Sequence, residues 1–172
     1  TTATPSGRRC EFALGALAGW HFNPGDSIAV NGACLTVVTL DADRFGADIS
    51  AETLRVTTLG SLQPGSPVNL EPAMTLSDPL GGHLVTGHVD GIAEVAELRR
   101  EADTAIVRFE LPEGLRRYAA RKGSICIDGV SLTVNRVSDL VDGCEFSINL
   151  IPHTLQQTTL GGLQVGRRVN LE

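Results

Sequence analysis

The stretch Ser27-Ile28-Ala29-Val30-Asn31-Gly32-Ala33-Cys34-Leu35-Thr36-Val37 returns as Ser124-Ile125-Cys126-Ile127-Asp128-Gly129-Val130-Ser131-Leu132-Thr133-Val134, with 6 of 11 positions identical. A second match follows, in which residues 53–71 and 154–172 agree at 13 of 19 positions, including Thr-Leu-x-x-Thr-Thr-Leu-Gly and Val-Asn-Leu-Glu. The offset grows from 97 to 101 residues between the matches, so the later copy carries an insertion of four. Residues 23–71 thus occur again at 120–172. Two copies predict two similar domains, at 1–82 and 83–172, rather than a solenoid, which usually needs three or more short repeats. Two similar domains in turn predict two similar pockets.

Working outward, Asn31-Gly32 and Asp128-Gly129 each lie between a pair of short apolar runs, at 27–30 and 35–39 and at 124–127 and 131–137. Asn-Gly and Asp-Gly supply the positive-φ residues of a tight hairpin, so each copy carries a hairpin at the same place. Residues 44–50 and 144–150 read as the next strand of each copy. Residues 67–71 and 167–172 read as the last, each after a glycine turn at Gly65 or Gly166. Single helical turns are expected at 51–54 and 152–155, and a short helix at 115–121 after Pro112 and Gly114. Many short strands with few helices predict an all-β fold of two antiparallel barrels or sandwiches, closure removing the exposed edges.

The duplication also predicts a gap. In the second copy Val89-Asp90-Gly91-Ile92-Ala93-Glu94-Val95-Ala96 reads as a strand preceding the one at 104–111, and its counterpart would fall before residue 1. The first domain is therefore expected to lack its opening strand, with residues 1–9 as a hairpin loop.

Composition limits the class of function. A hydrophobic share of 42% with 20% charged residues is globular, and no apolar run is long enough to span a bilayer. The net charge of −6 disfavours nucleic acid and anionic lipid as partners. The start Thr1-Thr2-Ala3-Thr4-Pro5 carries neither a basic cluster nor an apolar core. Cys10, Cys34, Cys126 and Cys144 form no Cys-x-x-Cys pair. These features predict reduced thiols in a cytoplasmic protein.

In strands, Cys34 and Thr36 share one face, as do Ser131 and Thr133 in the second copy. Short hydroxyls and thiols in line suit the polar edge of a flat ring, although Thr is also a good strand residue and Cys a small hydrophobe. The joining segment 77–90 places His83 and His88 beside Asp78 and Asp90 in a glycine-rich run. It reads either as a proton-exchanging, close-approach segment or as a plain linker. The spacing matches no common zinc site, and no metal is expected. Lys122 stands where the first copy has Gly25, an asymmetry consistent with divided roles or with a solvated surface lysine.

Taken together, Asn31-Gly-Ala-Cys-Leu-Thr-Val, Glu52-Thr-Leu, Gly81-Gly-His-Leu-Val-Thr-Gly-His-Val, Lys122-Gly-Ser-Ile-Cys-Ile-Asp-Gly-Val-Ser-Leu-Thr-Val and Ile151-Pro-His-Thr-Leu resemble the riboflavin synthase family of lumazine-binding proteins over nearly the whole chain. The resemblance implies two six-stranded Greek-key barrels and a homotrimer built by a C-terminal helix. It implies dismutation of two 6,7-dimethyl-8-ribityllumazine molecules into riboflavin and a ribitylaminopyrimidinedione, with no added cofactor, and it names lumazine synthase as a candidate partner. Carried over by position, a first pocket uses Cys34, Leu35 and Thr36 with Asp48, Ile49, Ser50, Ala51, Glu52 and Thr53. A second uses Gly87, His88 and Val89, then Ser131, Leu132 and Thr133, then Asn149, Leu150, Ile151, Pro152, His153 and Thr154. Lys122 matches a lysine that reaches the ligand across a subunit boundary, and Ser27 and Cys34 match polar residues near the reacting rings. His88 is the candidate for proton transfer, Ser131 and Thr133 hold the acceptor ring or help a nucleophile add to it, and Cys34 is a nucleophile or a pocket wall. The family's opening Met-Phe-Thr-Gly-Ile strand, a later aspartate and the trimer helix have no counterpart in these residues. A non-catalytic lumazine- or flavin-binding protein of the same fold is the competing expectation.

Overall fold

The computed structural model describes residues 1–4, 6–140 and 143–172. The first half contains β1 (Thr2–Thr4), β2 (Gly7–Ala13), β3 (Ser27–Val30), β4 (Ala33–Thr36), β5 (Thr39–Leu40) and β6 (Arg44–Ser50), then helix α1 (Ala51–Val56) and β7 (Leu70–Pro72). The second repeats the plan with β8 (Gly91–Glu101), β9 (Thr104–Leu111), β10 (Ser124–Ile127), β11 (Val130–Thr133), β12 (Arg136–Leu140), β13 (Gly143–Leu150), α2 (Pro152–Gln157) and β14 (Arg168–Leu171).

Asn31 and Asp128 take positive φ of 47° and 46°, followed by Gly32 and Gly129 at 77° and 82°. These are the turns that Asn-Gly and Asp-Gly favour, and they set the registers Val30↔Ala33 and Ile127↔Val130. In the second half all seven strands join one curled sheet in the order β11-β10-β14-β8-β9-β13-β12. Its outer strands are consecutive in sequence, because the chain pairs with β10 until Thr133 and with β13 from Arg136. Counted as one bent strand, β11 and β12 give the six strands of a Greek-key barrel.

The first half differs in one respect. Its strands form two sheets, β1-β2-β6-β5 and β4-β3-β7. In the second half β8 stitches the corresponding pieces together, its start pairing with β14 and its remainder with β9 across a bulge between Val95 and Glu97. Among the described residues no strand fills that role between β7 and β2. Residues 1–4 and 6–9 are more than the expected loop: β1 and β2 form a paired hairpin with Thr2 opposite Arg9. The expected helix at 115–121 is a 3-10 turn at Glu113–Tyr118.

Each half has its own apolar core. Strand alternation buries Phe12, Ile28, Val30, Leu35, Phe45, Ala47 and Ile49 in the first, and Val95, Val107, Phe109, Ile127, Phe146, Ile148 and Val169 in the second. One stacked phenylalanine pair centres each, Phe12–Phe45 at 5.3 Å and Phe109–Phe146 at 5.2 Å.

The repeated Val-Asn-Leu-Glu and Thr-Thr-Leu-Gly motifs bind the halves to each other. Asn69 accepts from the Thr159 amide at 2.8 Å and donates to the Asp128 carbonyl at 2.7 Å. Asn170 accepts from the Thr58 amide at 2.7 Å and donates to the Asn31 carbonyl at 2.8 Å. The two hairpin tips abut so closely that a Cβ on Gly32 would meet the Gly129 nitrogen at 2.8 Å. Local duplication thus produces a pseudo-twofold junction, and that junction fixes how the two outer faces are presented.

Candidate functional site

On β4 the side chains of Ala33 and Leu35 are buried while Cys34 and Thr36 face outward, with Ser27 paired opposite Thr36. Strand β4 packs on β6, whose Asp48 and Ser50 are exposed while Ile49 enters the core. Ser50 then starts α1: its hydroxyl accepts from the Thr53 amide at 3.0 Å and lies 2.9 Å from the Thr53 hydroxyl, an N-cap that fixes Ala51, Glu52 and Thr53. A shallow polar face results, and an unexpected residue frames it. Arg9 grips Asp48 with two bonds of 2.7 and 2.6 Å, and the guanidinium holds the Asp48 carboxyl below its ordinary range. Glu52 is lowered likewise by Arg55.

The second half presents the same frame. Ser131 and Thr133 of β11 are exposed, with Leu132 half-buried between them. Strand β11 touches β13, which ends in exposed Asn149 and buried Leu150. Exposed Ile151 stands at the N-cap of α2, Pro152 starts that helix without a side-chain cap, and His153 and Thr154 follow. Lys122 heads this copy with a φ of 68° and an amide donating to the Val134 carbonyl at 2.8 Å. Gly25 makes the same bond to Val37 at 2.8 Å, with a φ of 100°. A lysine holding a backbone position where its counterpart is glycine carries strain that the first copy avoids.

The joining segment contacts both faces, and its pairing differs from the order read in sequence. Gly87, expected beside Ser131, instead accepts through its carbonyl from the Cys34 amide at 2.9 Å. Val89 packs against the core of the first half, and His88 is exposed between them. Ser131 meets His83, whose Nδ1 lies 2.8 Å from the serine hydroxyl. The first face thus gathers Ser27, Cys34, Thr36, Asp48 and Ser50 with Gly87, His88 and Val89. The second gathers Ser131 and Thr133 with His83. Sequence reading missed Arg9 and the His83 contact; neither has a counterpart in the repeat that would have flagged it.

Cysteine environments separate cleanly. Burial pushes the Cys10 and Cys144 thiols up and the Cys126 thiol up to about 12, whereas Cys34 is exposed. Among the described residues no three His, Cys, Asp or Glu side chains gather to hold a metal ion. One cavity, about 880 Å³, lies between β2, residues 62–71 and Gly129–Val130–Ser131. A smaller one of about 280 Å³ sits under the 3-10 turn near Tyr118 and Ser124. Only Ser131 belongs both to these cavities and to the polar faces. The faces are open shelves, suited to a flat ring lying across strand edges.

Comparison with known proteins places this architecture. The lumazine binding domain family matches residues 4–73 and again 86–172. The chain belongs to the lumazine-binding domain family. It is 47% identical over 148 residues to the riboflavin synthase of Actinobacillus pleuropneumoniae, covering 86% of this chain and 67% of that protein. It is 50% identical over 153 residues to the riboflavin synthase of Mycobacterium tuberculosis strain H37Rv, covering 86% and 74%. The chain thus spans about two-thirds to three-quarters of the length of these relatives. The crystal structure of LumP complexed with 6,7-dimethyl-8-(1'-D-ribityl)lumazine aligns with 99% of this chain and 90% of that one, at a TM-score of 0.83 and 29% identity. Both lumazine-binding domains are therefore present, and the all-β two-barrel reading of the duplication stands.

Proposed function

We propose that the chain is a riboflavin synthase, converting two molecules of 6,7-dimethyl-8-ribityllumazine into riboflavin and 5-amino-6-ribitylaminouracil. The observation that carries the reading is similarity at 42–50% identity to riboflavin synthases through both domains, against 29–30% to the solved lumazine-binding protein. The reaction needs two copies of one substrate, and the fold offers two copies of one shelf. A four-carbon unit leaves one lumazine and adds to the other, so each shelf holds the same heterocycle in a different role.

The chemistry asks little of the side chains. Delocalisation into the pteridine makes the C7 methyl group acidic, so a moderate base is enough. His88, exposed at the first shelf beside Cys34, takes the role of proton carrier. Ser131 and Thr133 hold the ring on the second shelf, Ser27 and Cys34 line the first, and Lys122 reaches a neighbouring ligand. Bringing two rings face to face converts an encounter into a near-unimolecular step, which supplies much of the rate. Open shelves on one molecule need a cover, and a homotrimer in which the first shelf of one subunit meets the second of its neighbour provides it. A cytoplasmic location fits the four free thiols.

Incubating the full chain with ribityllumazine and following flavin absorbance tests the reading. Formation of one riboflavin for two lumazines consumed is the expected result. Tight binding with no riboflavin would reassign the chain as a lumazine carrier.

A further inference from the structure

We propose that Glu172 is a positioning residue: its carboxylate clasps Thr86 and Gly87 so that the segment bearing His88 is held against Cys34, and through that clasp it sets ligand affinity at the first shelf. The inference rests on the lumazine reading of that shelf and adds a residue outside both pockets carried over by position.

Glu172 follows β14 and is held to β10 by a reciprocal pair of bonds: its carbonyl accepts from the Cys126 amide at 2.8 Å and its amide donates to the Cys126 carbonyl at 3.1 Å. From this rigid base the carboxylate accepts the Thr86 amide at 2.7 Å and the Thr86 hydroxyl at 3.0 Å. It also takes the Gly87 amide at 3.1 Å through one oxygen and 3.0 Å through the other. Three donors from two consecutive residues converge on one anion, the arrangement in which charge-assisted bonds hold a loop most firmly.

Gly87 passes the constraint on. Its carbonyl accepts from the Cys34 amide, and at its φ of 77° an added Cβ would stand 2.7 Å from the Cys34 Cβ. The segment therefore lies directly on β4, with His88 next in line and Val89 seated in the core of the first half. A continuous path runs from β10 through Glu172 and Gly87 to Cys34, so the last residue of the second copy shapes the wall of the first shelf.

The test uses the full chain with Glu172→Ala, Glu172→Gln and Thr86→Val, titrated with ribityllumazine, with amide hydrogen exchange measured in parallel. Wild type should bind in two phases, one for each shelf. Glu172→Ala should weaken one phase about tenfold, the loss expected for a charge-assisted bond, leave the other in place, and speed exchange at Gly87 and Cys34. Glu172→Gln, which keeps an acceptor oxygen, should restore most of the affinity, a rescue that a general loss of stability would not produce. If Glu172→Ala does not fold, Thr86→Val removes a single bond at an exposed residue and should weaken the same phase about threefold, with Thr86→Ser as its rescue. Unchanged affinity in both phases with unchanged exchange at Gly87 overturns the proposal. Wild type that binds in two phases yet makes no riboflavin overturns the synthase reading instead, and the affinity ratio still decides the clasp.

Discussion

Replacing Asp128 by Asn should stabilise this protein above pH 7 and give no gain near pH 4. Asp128 is the counterpart of Asn31 and equally buried, at 1% exposure each. Both side chains do one job: Asp128 Oδ1 accepts from the Asn170 amide at 2.8 Å, as Asn31 Oδ1 accepts from the Asn69 amide at 2.8 Å. Only one of them can ionise. Burial, opposed weakly by the Asn170 bond and by Arg167, pushes the Asp128 carboxyl from 3.8 up to about 6. Between these values the folded state binds more protons than the unfolded one, so the contribution of this group to stability falls as pH rises through 6. A rise of about two units corresponds to about 3 kcal/mol once both states are ionised. The Asn amide brings a buried donor that costs about 1 kcal/mol if it stays unpaired, leaving a net gain of about 2 kcal/mol. For a chain of this size that is about 4–8 °C in Tm. Thermal or urea unfolding of both proteins at steps from pH 4 to pH 8 reads the difference directly. A variant no more stable than wild type at pH 8, or equally favoured at pH 4 and pH 8, would refute the reasoning.

The same junction should reject a methyl group: Gly32→Ala combines a left-handed backbone with a clash against Gly129, and a loss of about 2 kcal/mol or more is expected in urea unfolding. Phe109→Ala removes one ring of the stacked pair at the centre of the second core and should cost about 3–5 kcal/mol, measured the same way. Iodoacetamide on the native protein should label Cys34 alone by mass spectrometry, since the other three cysteines are buried and their thiols are raised, and bound lumazine should slow the labelling. Ser131→Ala and His88→Ala, both exposed, should shift Tm by less than about 2 °C while lowering riboflavin formation by about tenfold or more; unchanged rates in both would remove them from the site.

Much of the fold was legible because the repeat makes each copy a check on the other. Asn31-Gly32 and Asp128-Gly129 encode their hairpins locally, and strand alternation at 33–36 and 130–133 already separates core from shelf. The connections between elements were less accessible. Nothing in the order of residues says that Gly87 leans on Cys34 rather than Ser131, because that depends on how the two barrels dock. The docking itself rests on Asn69 and Asn170, whose repetition could have marked them, but a repeated asparagine reads equally well as a turn residue. Arg9 lies opposite Asp48 through the β2–β6 register, a pairing that appears only once strands are aligned. Residues at the pseudo-twofold are therefore structural, and the chemistry falls to the outward positions between them.

Twin shelves for one heterocycle are the centre of the account. A crystal of the full chain soaked with ribityllumazine should show two rings per chain, one across Cys34–Leu35–Thr36 beside Gly87 and His88, the other across Ser131–Leu132–Thr133. Rings lodged away from both strands, or density at one shelf alone under saturating ligand, would contradict it.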